Sequence, residues 1–544
     1  MRPLEGLLAK TRRARKQRNS AAPLEGPPFL PVPAFLRHGL GTTLGLAMTE
    51  IAQSDRLAKL ETLRAAGIDP YPPRGVDGTP IDQVLAGMGS PEAPGPMCGK
   101  VLWVAGRVLS LRDFGKLIFC PVLDRTGRIQ VGLQRDALAD FWPMRKTLDA
   151  GDLVGIRGEL GFTQKGEPTV WAQEVRLLAK SVAAPPQKWH GLTDKETRYR
   201  RRYVDLWASD EVMRVFLQRS QILSSIRRFL EARGYLEVET PTLHPIMGGA
   251  TARPFITHHN ALDTDLYLRV APELYLKRLI VGGMERVFEI ARNFRNEGLS
   301  VRHNPEFTML ELYQAHADYH HMMEITETMI SSLAMELYGR TQITWRGKEF
   351  DLKAPFERRT YADAFQSANG CAFDDEPAVR ARAKELGLHD HGDYWKLMND
   401  VFEATAEKDL IGPLFLCDYP IQICPLAKRS TSDPRLAERF EIFLDGMELG
   451  NAFTELNDPA DQQERFQAQV DSKDPESPAE VDIDYVQALE YGMPPAGGLG
   501  IGIDRLVMVL TGQDSIRDVL LFPAMRKLAP GGNEVHEVES PAEA

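Results

Sequence analysis

The sequence predicts an α+β protein in several domains: a small barrel of short strands, then a larger body of antiparallel sheet flanked by helices. Three observations carry this expectation. The chain has 544 residues, too many for one ordinary core. Between Val101 and Lys180, short apolar runs alternate with Gly, Asp and Lys turns at strand spacing. From Arg219 onward helical and strand-like patterns interleave, and the last is a glycine-spaced strand running into an apolar helix.

Composition narrows the class. A net charge of -11, from 65 basic and 76 acidic residues, describes a soluble protein and argues against nonspecific polyanion binding, though a local basic face can still take nucleic acid. The five cysteines are scattered with no Cys-x-x-Cys pair, which points to reduced thiols rather than a zinc site or a disulfide framework. No apolar run is long enough to span a bilayer, and a cytoplasmic location without membrane contact is expected.

Residues 1–47 are basic and Pro-rich. A transit peptide, a basic RNA-touching tail and an upstream extension of a frame starting at Met48 compete; with no amphipathic helix after the basic run, the extension or plain disorder is favoured. Residues 48–98 read as a helix over Thr49–Ile68, striped by Leu57, Leu60, Leu63 and Ile68, followed by a Gly/Pro-rich linker.

Residues 99–183 hold the five strand-like runs, VLWVAGRVLSL, KLIFCPVLD, RIQVGLQ, LVGIRGEL and PTVWAQEVRLL, with one helical segment near Leu138 to Lys146. That texture suits an OB-fold barrel, which binds oligonucleotides across its face. Phe119 offers a ring for stacking a base, and Arg112, Gln130 and Glu167 offer contacts to base edges. With its flanking GK-x-x-F and GRIQ strings, the segment resembles the anticodon-binding domain of the lysine-specific class II aminoacyl-tRNA synthetases. Cys120-Pro121 departs from that family's usual polar pair, and Pro121 limits local strand pairing.

A hinge is expected over 184–210, where Arg198, Arg200, Arg201 and Arg202 form a basic strip that either faces RNA or joins the domains. The catalytic body is expected over 211–528, with a disordered acidic tail over 529–544. It opens with a helix from Arg219 to Gly234, apolar at Ile222, Ile226, Phe229 and Leu230, and a strand in YLEVETP. This unit, about 219–243, resembles class II motif 1, which in the family builds a twofold interface. The same apolar face would also serve an intrachain core, and beside the other motifs a homodimer is expected.

The stretch Arg286–Tyr313 reads as two strands joined by a charged loop. In the second strand Phe307, Met309, Glu311 and Tyr313 share a face opposite Thr308, Leu310 and Leu312. An aromatic, a carboxylate and a phenol make a poor core and a plausible floor for a ligand part apolar and part cationic. The loop adds Arg295, Glu297, Arg302, His303 and Asn304. The string FRNEGLSVRHNPEFTMLELY resembles class II motif 2 in its lysine-specific form.

Upstream, Gly248-Gly249 allows close backbone approach to a ligand, and Glu273 follows Pro272 at an expected helix start. Downstream, Asp445-Gly446 between strand-like runs signals a two-residue hairpin. In that register Leu444 faces Met447, Phe443 faces Glu448 and Glu441 faces Gly450, so Glu441 and Glu448 are diagonal neighbours that repel unless a cation, most suitably Mg²⁺, lies between them. Asn451, Phe453 and Glu455 then fall on the opposite face from Glu448. One extra residue must be absorbed for both sets to share a pocket, and Gly450 is the expected bulge. Residues 496–511, AGGLGIGIDRLVMVL and the following Thr511, resemble motif 3.

The resemblance implies an enzyme that activates L-lysine with ATP and passes it to tRNA(Lys), with Arg295 and Arg505 as the catalytic pair. It implies that Phe307 and Arg505 sandwich adenine, that Glu297, His303 and Asn304 contact the nucleotide, and that Arg295 bridges the α-phosphate and the lysine carboxylate. Glu441 and Glu448 would hold Mg²⁺ on the phosphates of ATP. Glu273 and the Gly249 backbone would take the α-amino group, and Glu455 with Tyr313 the ε-ammonium; Phe453 would line the stem, with Asn451 and Glu311 completing the pocket. An aspartyl- or asparaginyl-specific enzyme is disfavoured by Glu273 and Glu455. The intact barrel argues against a paralogue that lysylates protein, and the set Arg295, Glu441, Glu448 and Arg505 against a regulatory RNA-binding module.

Overall fold

A computed structural model describes residues 43–89, 95–186, 192–390, 392–473 and 476–527. The basic extension ahead of residue 43 and the acidic tail fall outside the described residues. The chain divides into two compact units, one ending at Pro185 and one beginning at Pro186.

In the first unit, helix α1 (Thr43–Ala65) begins six residues ahead of the expected Thr49. Leu60 and Leu63 are buried but Leu57 is 44% exposed, so the apolar stripe is narrower than the sequence suggested. Five main strands follow, β1 (Gly95–Val108), β2 (Leu117–Leu123), β3 (Arg128–Gln134), β4 (Leu153–Phe162) and β5 (Pro168–Ala179), with a two-residue strand, Arg112–Asp113, paired onto β2. Their order is β1-β4-β5-β3-β2, and β2 pairs back onto β1, closing an OB-type barrel that leaves few open edges. Along β2 burial alternates, so Ile118, Cys120 and Val122 fill the barrel while Phe119 and Pro121 face outward. The expected helical segment is a 3₁₀ turn over Trp142–Thr147, with Pro143 near its start.

In the second unit the expected hinge is helical from Lys195, and most of its basic strip is used within the chain. Arg198 pairs with Asp205 and Arg200 with Glu196, while Arg202 is fully buried against Asp205 at 2.6 Å. Helix α2 (Asp210–Glu231) starts nine residues before Arg219, because the Ser209 side chain caps its first turn by accepting from the Val212 N–H.

The body is built on strands β6 (Leu236–Glu237), β7 (Arg286–Phe294), β8 (Glu306–Ala315), β9 (Glu357–Thr360), β10 (Leu414–Cys417), β11 (Arg439–Leu444), β12 (Met447–Thr454) and β13 (Ala496–Gly502). They form one sheet in the order β9-β10-β11-β12-β13-β8-β7-β6. The central ladders are antiparallel as expected; the two edge pairs, β9 with β10 and β6 with β7, are parallel. YLEVETP contributes only the two-residue β6, since past Val238 the chain leaves the edge.

One face of the sheet carries the main core. Leu310 and Leu312 of β8, Ile442 of β11 and Ile501 of β13 pack beneath α2, α4 (Tyr319–Tyr338) and α7 (Ile503–Thr511); α3 (Glu273–Val281), α5 (Pro459–Ser472) and α6 (Ile483–Glu490) lie near the opposite face. Ile222, Ile226 and Leu230 of α2 are fully buried there with Met329 and Ile330, and Phe229 packs beside them. The apolar face of the motif 1 helix therefore belongs to the intrachain core, the alternative the sequence left open, and is not a free surface for a partner.

Candidate active site

The opposite face of the sheet is lined by the side chains expected to carry chemistry. In β8 the Phe307, Met309, Glu311 and Tyr313 face is turned from the core, as alternation required. Across the ladder Met309, Glu311 and Tyr313 lie opposite Gly502, Gly500 and Gly498 of β13. A methyl group at Gly498 would sit 2.0 Å from Glu455 Oε1 and 2.5 Å from the Tyr313 ring, so the glycine spacing of motif 3 makes room for the neighbouring polar side chains.

The hairpin follows the sequence signal. Asp445 and Gly446 both have positive φ, 51° and 65°, and Leu444 pairs with Met447. Phe443 faces Glu448, but Ile442 faces Gly450, so Leu449 is the extra residue. Glu441 consequently faces Asn451 rather than Gly450. The bulge turns Glu448, Asn451 and Phe453 to one side while Met447, Leu449 and Ala452 enter the core. Gly450 has a different reason to be glycine: a Cβ there would meet the Gly500 carbonyl oxygen at 2.3 Å.

Two adjoining cavities open on this face. The larger, about 350 Å³, is lined by Gly249, Glu273, Glu311, Tyr313, Glu441 and Phe453 among others. The smaller, about 240 Å³, is lined by Glu297, His303, Asn304, Phe307, Asp504 and Arg505 among others. Arg295, Glu448 and Asn451 line both, so one guanidinium stands where the cavities meet.

Gly249 has φ +89, and a Cβ there would approach Glu273 Cβ to 3.3 Å; this is the close backbone approach expected of that glycine. Glu273 opens α3 behind Pro272. Glu311 is buried, and burial first, then the neighbouring Glu273 charge, pushes its carboxyl up to about 8. Tyr313 donates to Glu311 Oε2 at 3.3 Å.

In the smaller cavity the Arg295 guanidinium lies 5.1 Å from the Phe307 ring centre, and its buried Nε finds no hydrogen-bond partner among the described residues. Arg505 donates through Nη1 to the Glu448 carbonyl at 2.8 Å and carboxylate at 3.2 Å, and its Nη2 lies 3.1 Å from His303 Nε2. Asn304 acts as a brace, donating to the Glu306 carbonyl and accepting from the Ala524 N–H. Glu441 accepts from Tyr419 at 2.7 Å and from Arg439. Burial raises the pKa of Glu441, and nearby Glu448 raises it further, as expected of carboxylates sharing a site.

Glu455 departs from its expected setting. It does not front the cavity; it is fully buried and paired with Lys277, whose ammonium also lies 2.6 Å from Glu273 Oε1 and 5.2 Å from the Phe453 ring centre. Burial opposes the charge on Lys277, yet Glu273 and Glu455 outweigh it and hold the ammonium firmly protonated. Sequence reasoning missed Lys277, Arg439 and Tyr419. Lys277 is four residues after Glu273 on one helical face and Arg439 two residues before Glu441 on one strand face, so local spacing held a signal for both. Tyr419 comes from outside the local stretch and left none.

On the barrel, Phe119 is half-buried on the outer face, with Phe114 at 6.2 Å and Trp171 at 6.0 Å in edge-on contact. Arg112 pairs across the ladder with Phe119 and donates to Gln130 Oε1 at 2.9 Å. Gln130 is buried and donates to Thr169, while Glu167 is exposed at the turn before β5. Pro121 sits in the ladder opposite Gln130, so the departure from the family pattern is accommodated without breaking β2.

Residues 194–526 match the family described as tRNA synthetases class II (D, K and N), and residues 102–178 match the OB-fold nucleic acid binding domain. The chain is 51% identical over 479 residues to a lysine--tRNA ligase of Carboxydothermus hydrogenoformans, covering 87% of this chain and 97% of that one. It is 49% identical to the lysine--tRNA ligase of Magnetococcus marinus, covering 87% and 96%. A third, from Xanthomonas oryzae pv. oryzae, is 52% identical over 79% of this chain and 86% of its own.

Proposed function

This chain belongs to the lysine--tRNA ligase family of class II tRNA synthetases, and from that premise we propose that its two adjoining cavities take lysine and ATP side by side. The reaction activates L-lysine with ATP to lysyl-adenylate, releases pyrophosphate, and transfers lysine to the 3′ end of tRNA(Lys). The observation that carries the placement is Arg295, common to both cavities with a buried donor unpartnered among the described residues.

No side chain has to act as a nucleophile. The lysine carboxylate attacks the α-phosphate while Arg295 binds both, stabilising the charge that develops between them. Phe307 and Arg505 hold adenine, with Glu297, His303 and Asn304 around the nucleotide. Glu273 and the Gly249 backbone take the α-amino group; Tyr313, Asn451, Phe453 and Glu311 form the pocket for the side chain, with Glu455 behind Gly498. Glu441 and Glu448 would hold Mg²⁺. Among the described residues no group of three or more His, Cys, Asp or Glu could hold a metal, and a two-carboxylate set fits an ion completed by substrate phosphates. When bound, Mg²⁺ neutralises the departing pyrophosphate.

Phe119, Arg112, Gln130 and Glu167 contact the anticodon. A homodimer through the motif 1 unit is proposed on exposed apolar residues there, Leu217, Leu236 and Leu243, rather than on the buried face of α2. No helix among the described residues is long and apolar enough to cross a membrane, and a cytoplasmic location is proposed. ATP–pyrophosphate exchange across the standard amino acids, followed by acylation of tRNA, tests the whole. Lysine-dependent exchange and charging of tRNA(Lys) are expected; exchange driven by another amino acid in preference to lysine would overturn the assignment.

A further inference from the structure

Four facts about Lys277 stand outside the roles given above. It sits one turn after Glu273 on α3 and is fully buried. It contacts Glu273 and Glu455, the two carboxylates proposed for the opposite ends of the substrate. Neither it nor Glu455 fronts the cavity, whose wall here is Glu273, Glu311, Tyr313, Phe453 and Gly498. Finally, both carboxylate oxygens of Glu455 are buried without a hydrogen-bond partner among the described residues; Oε2 is in ion-pair contact with the ammonium, while Oε1 lies 2.0 Å from where a Cβ on Gly498 would be.

We infer that Lys277 is a positioning residue that sets the selectivity of the amino-acid cavity: from behind the wall it holds Glu455 by one oxygen and leaves the other, beside Gly498, as the acceptor for a terminal ammonium. Rival placements do not fit this geometry. Were Lys277 a plug that substrate must displace, its ammonium would front the cavity. Were it a passive core residue, one of its two carboxylate partners would not also line the cavity and the other would not sit against the gap at Gly498.

The groups facing Glu455 explain why a cation is needed. Glu273 approaches from α3, Glu311 and Tyr313 from β8, and Tyr485 from α6, with Arg295 acting on Glu311 from the end of β7. Burial raises Glu455 and its carboxylate neighbours raise it further; Lys277 is the opposing charge in direct contact. Without it, Glu455 takes up a proton at higher pH and offers a donor where the substrate ammonium, which has donors only, needs an acceptor. Tying Glu273 and Glu455 to one ammonium also fixes the spacing between the two ends of the pocket, so the length of the substrate chain is read as well as its charge.

This inference rests on the cavity being the lysine site, and calorimetric titration of the full chain with lysine separates the two claims. A parent protein that does not bind lysine would sink the site assignment itself. With the parent binding, Lys277→Met is expected to weaken lysine about 100-fold near neutral pH. The loss should recover as the pH is raised, with ATP affinity unchanged. Lysine affinity equal to the parent's, or weakened by the same factor at every pH, would overturn the inference. Should Lys277→Met not fold, Lys277→Arg keeps the charge and changes the reach. It is then expected to keep the parent's pH dependence while narrowing the preference for lysine over ornithine by about tenfold, the scale of one methylene; an unaltered preference would overturn the inference.

Discussion

The barrel and the sheet-borne cavities both place polar and aromatic side chains on alternate positions of antiparallel strands, yet bury them to opposite degrees. On the barrel, Phe119 stands half-buried among Phe114 and Trp171, with Arg112 and Glu167 exposed. Against the larger cavity, Glu273, Glu311 and Glu455 are 7%, 4% and 0% exposed. A shallow ring recognises a flat base by stacking, each contact adding a modest and nearly independent amount. Buried carboxylates recognise an ammonium by what is lost when it is missing, a steep penalty felt by the whole cluster. The first region tolerates error; the second does not.

The contrast is best tested at its sharp end. Arg295→Lys removes a planar fork where both cavities meet and is expected to cut the exchange rate about a thousandfold, since a point charge cannot reproduce two-pronged binding. An exchange rate within tenfold of the parent would break the view that this region is steep. Gly498→Ala pushes a methyl group onto Glu455 and Tyr313, and the KM for lysine should rise about 100-fold with that for ATP unaltered; parallel changes in both would refute the local account.

The shallow region should respond less. Phe119→Ala is expected to lower kcat/KM for tRNA acylation by about 10- to 100-fold, the worth of one stacked base. ATP–pyrophosphate exchange, which needs no tRNA, should stay at the parent's rate, and a fall in it would show that the ring serves folding instead. The smallest effect is on stability. Folded Glu311 keeps its proton up to about 8, whereas in the unfolded chain it is lost near about 4.5. The folded state therefore binds more protons between those values, and stability drops as pH rises through that window. Glu311→Gln should remove the drop, so its gain in stability should be full above about pH 8 and absent below about pH 4.5. A denaturant series showing the same gain at both ends would contradict the buried charge.

Much of this was legible because it was local. The strands of the barrel, the two faces of β8 and the Asp445-Gly446 turn each depend on alternation or turn chemistry within a few residues. The need for a bulge was also legible, because Glu448 and Asn451 had to share a face; its position was not. Gly450 suggested itself as the extra residue, but it is glycine to clear the Gly500 carbonyl, and Leu449 is the residue left over. The start of α2 was missed although Val212 and Val215 carry the buried apolar spacing back toward the Ser209 cap; Arg219 interrupts that stripe, and the helix was begun at the interruption. Its apolar face looked available only because the helix that covers it, α4, lies some hundred residues away. Lys277 escaped for the same reason: Glu273 is one turn off, but Glu455 reaches it through tertiary structure.

The odd residue in β12 is surplus to the pairing on either side of it. Another branched apolar side chain at 449 would leave the two sides of the sheet as they are. Deleting Leu449 would only regularise the ladder: Asn451 would still face Glu441, Ala452 would still face Phe440 and Phe453 would still face Arg439, so each keeps its side. Descendants of this gene can therefore drop that one letter and keep both faces, but cannot give Gly450 a side chain, which would meet the Gly500 carbonyl.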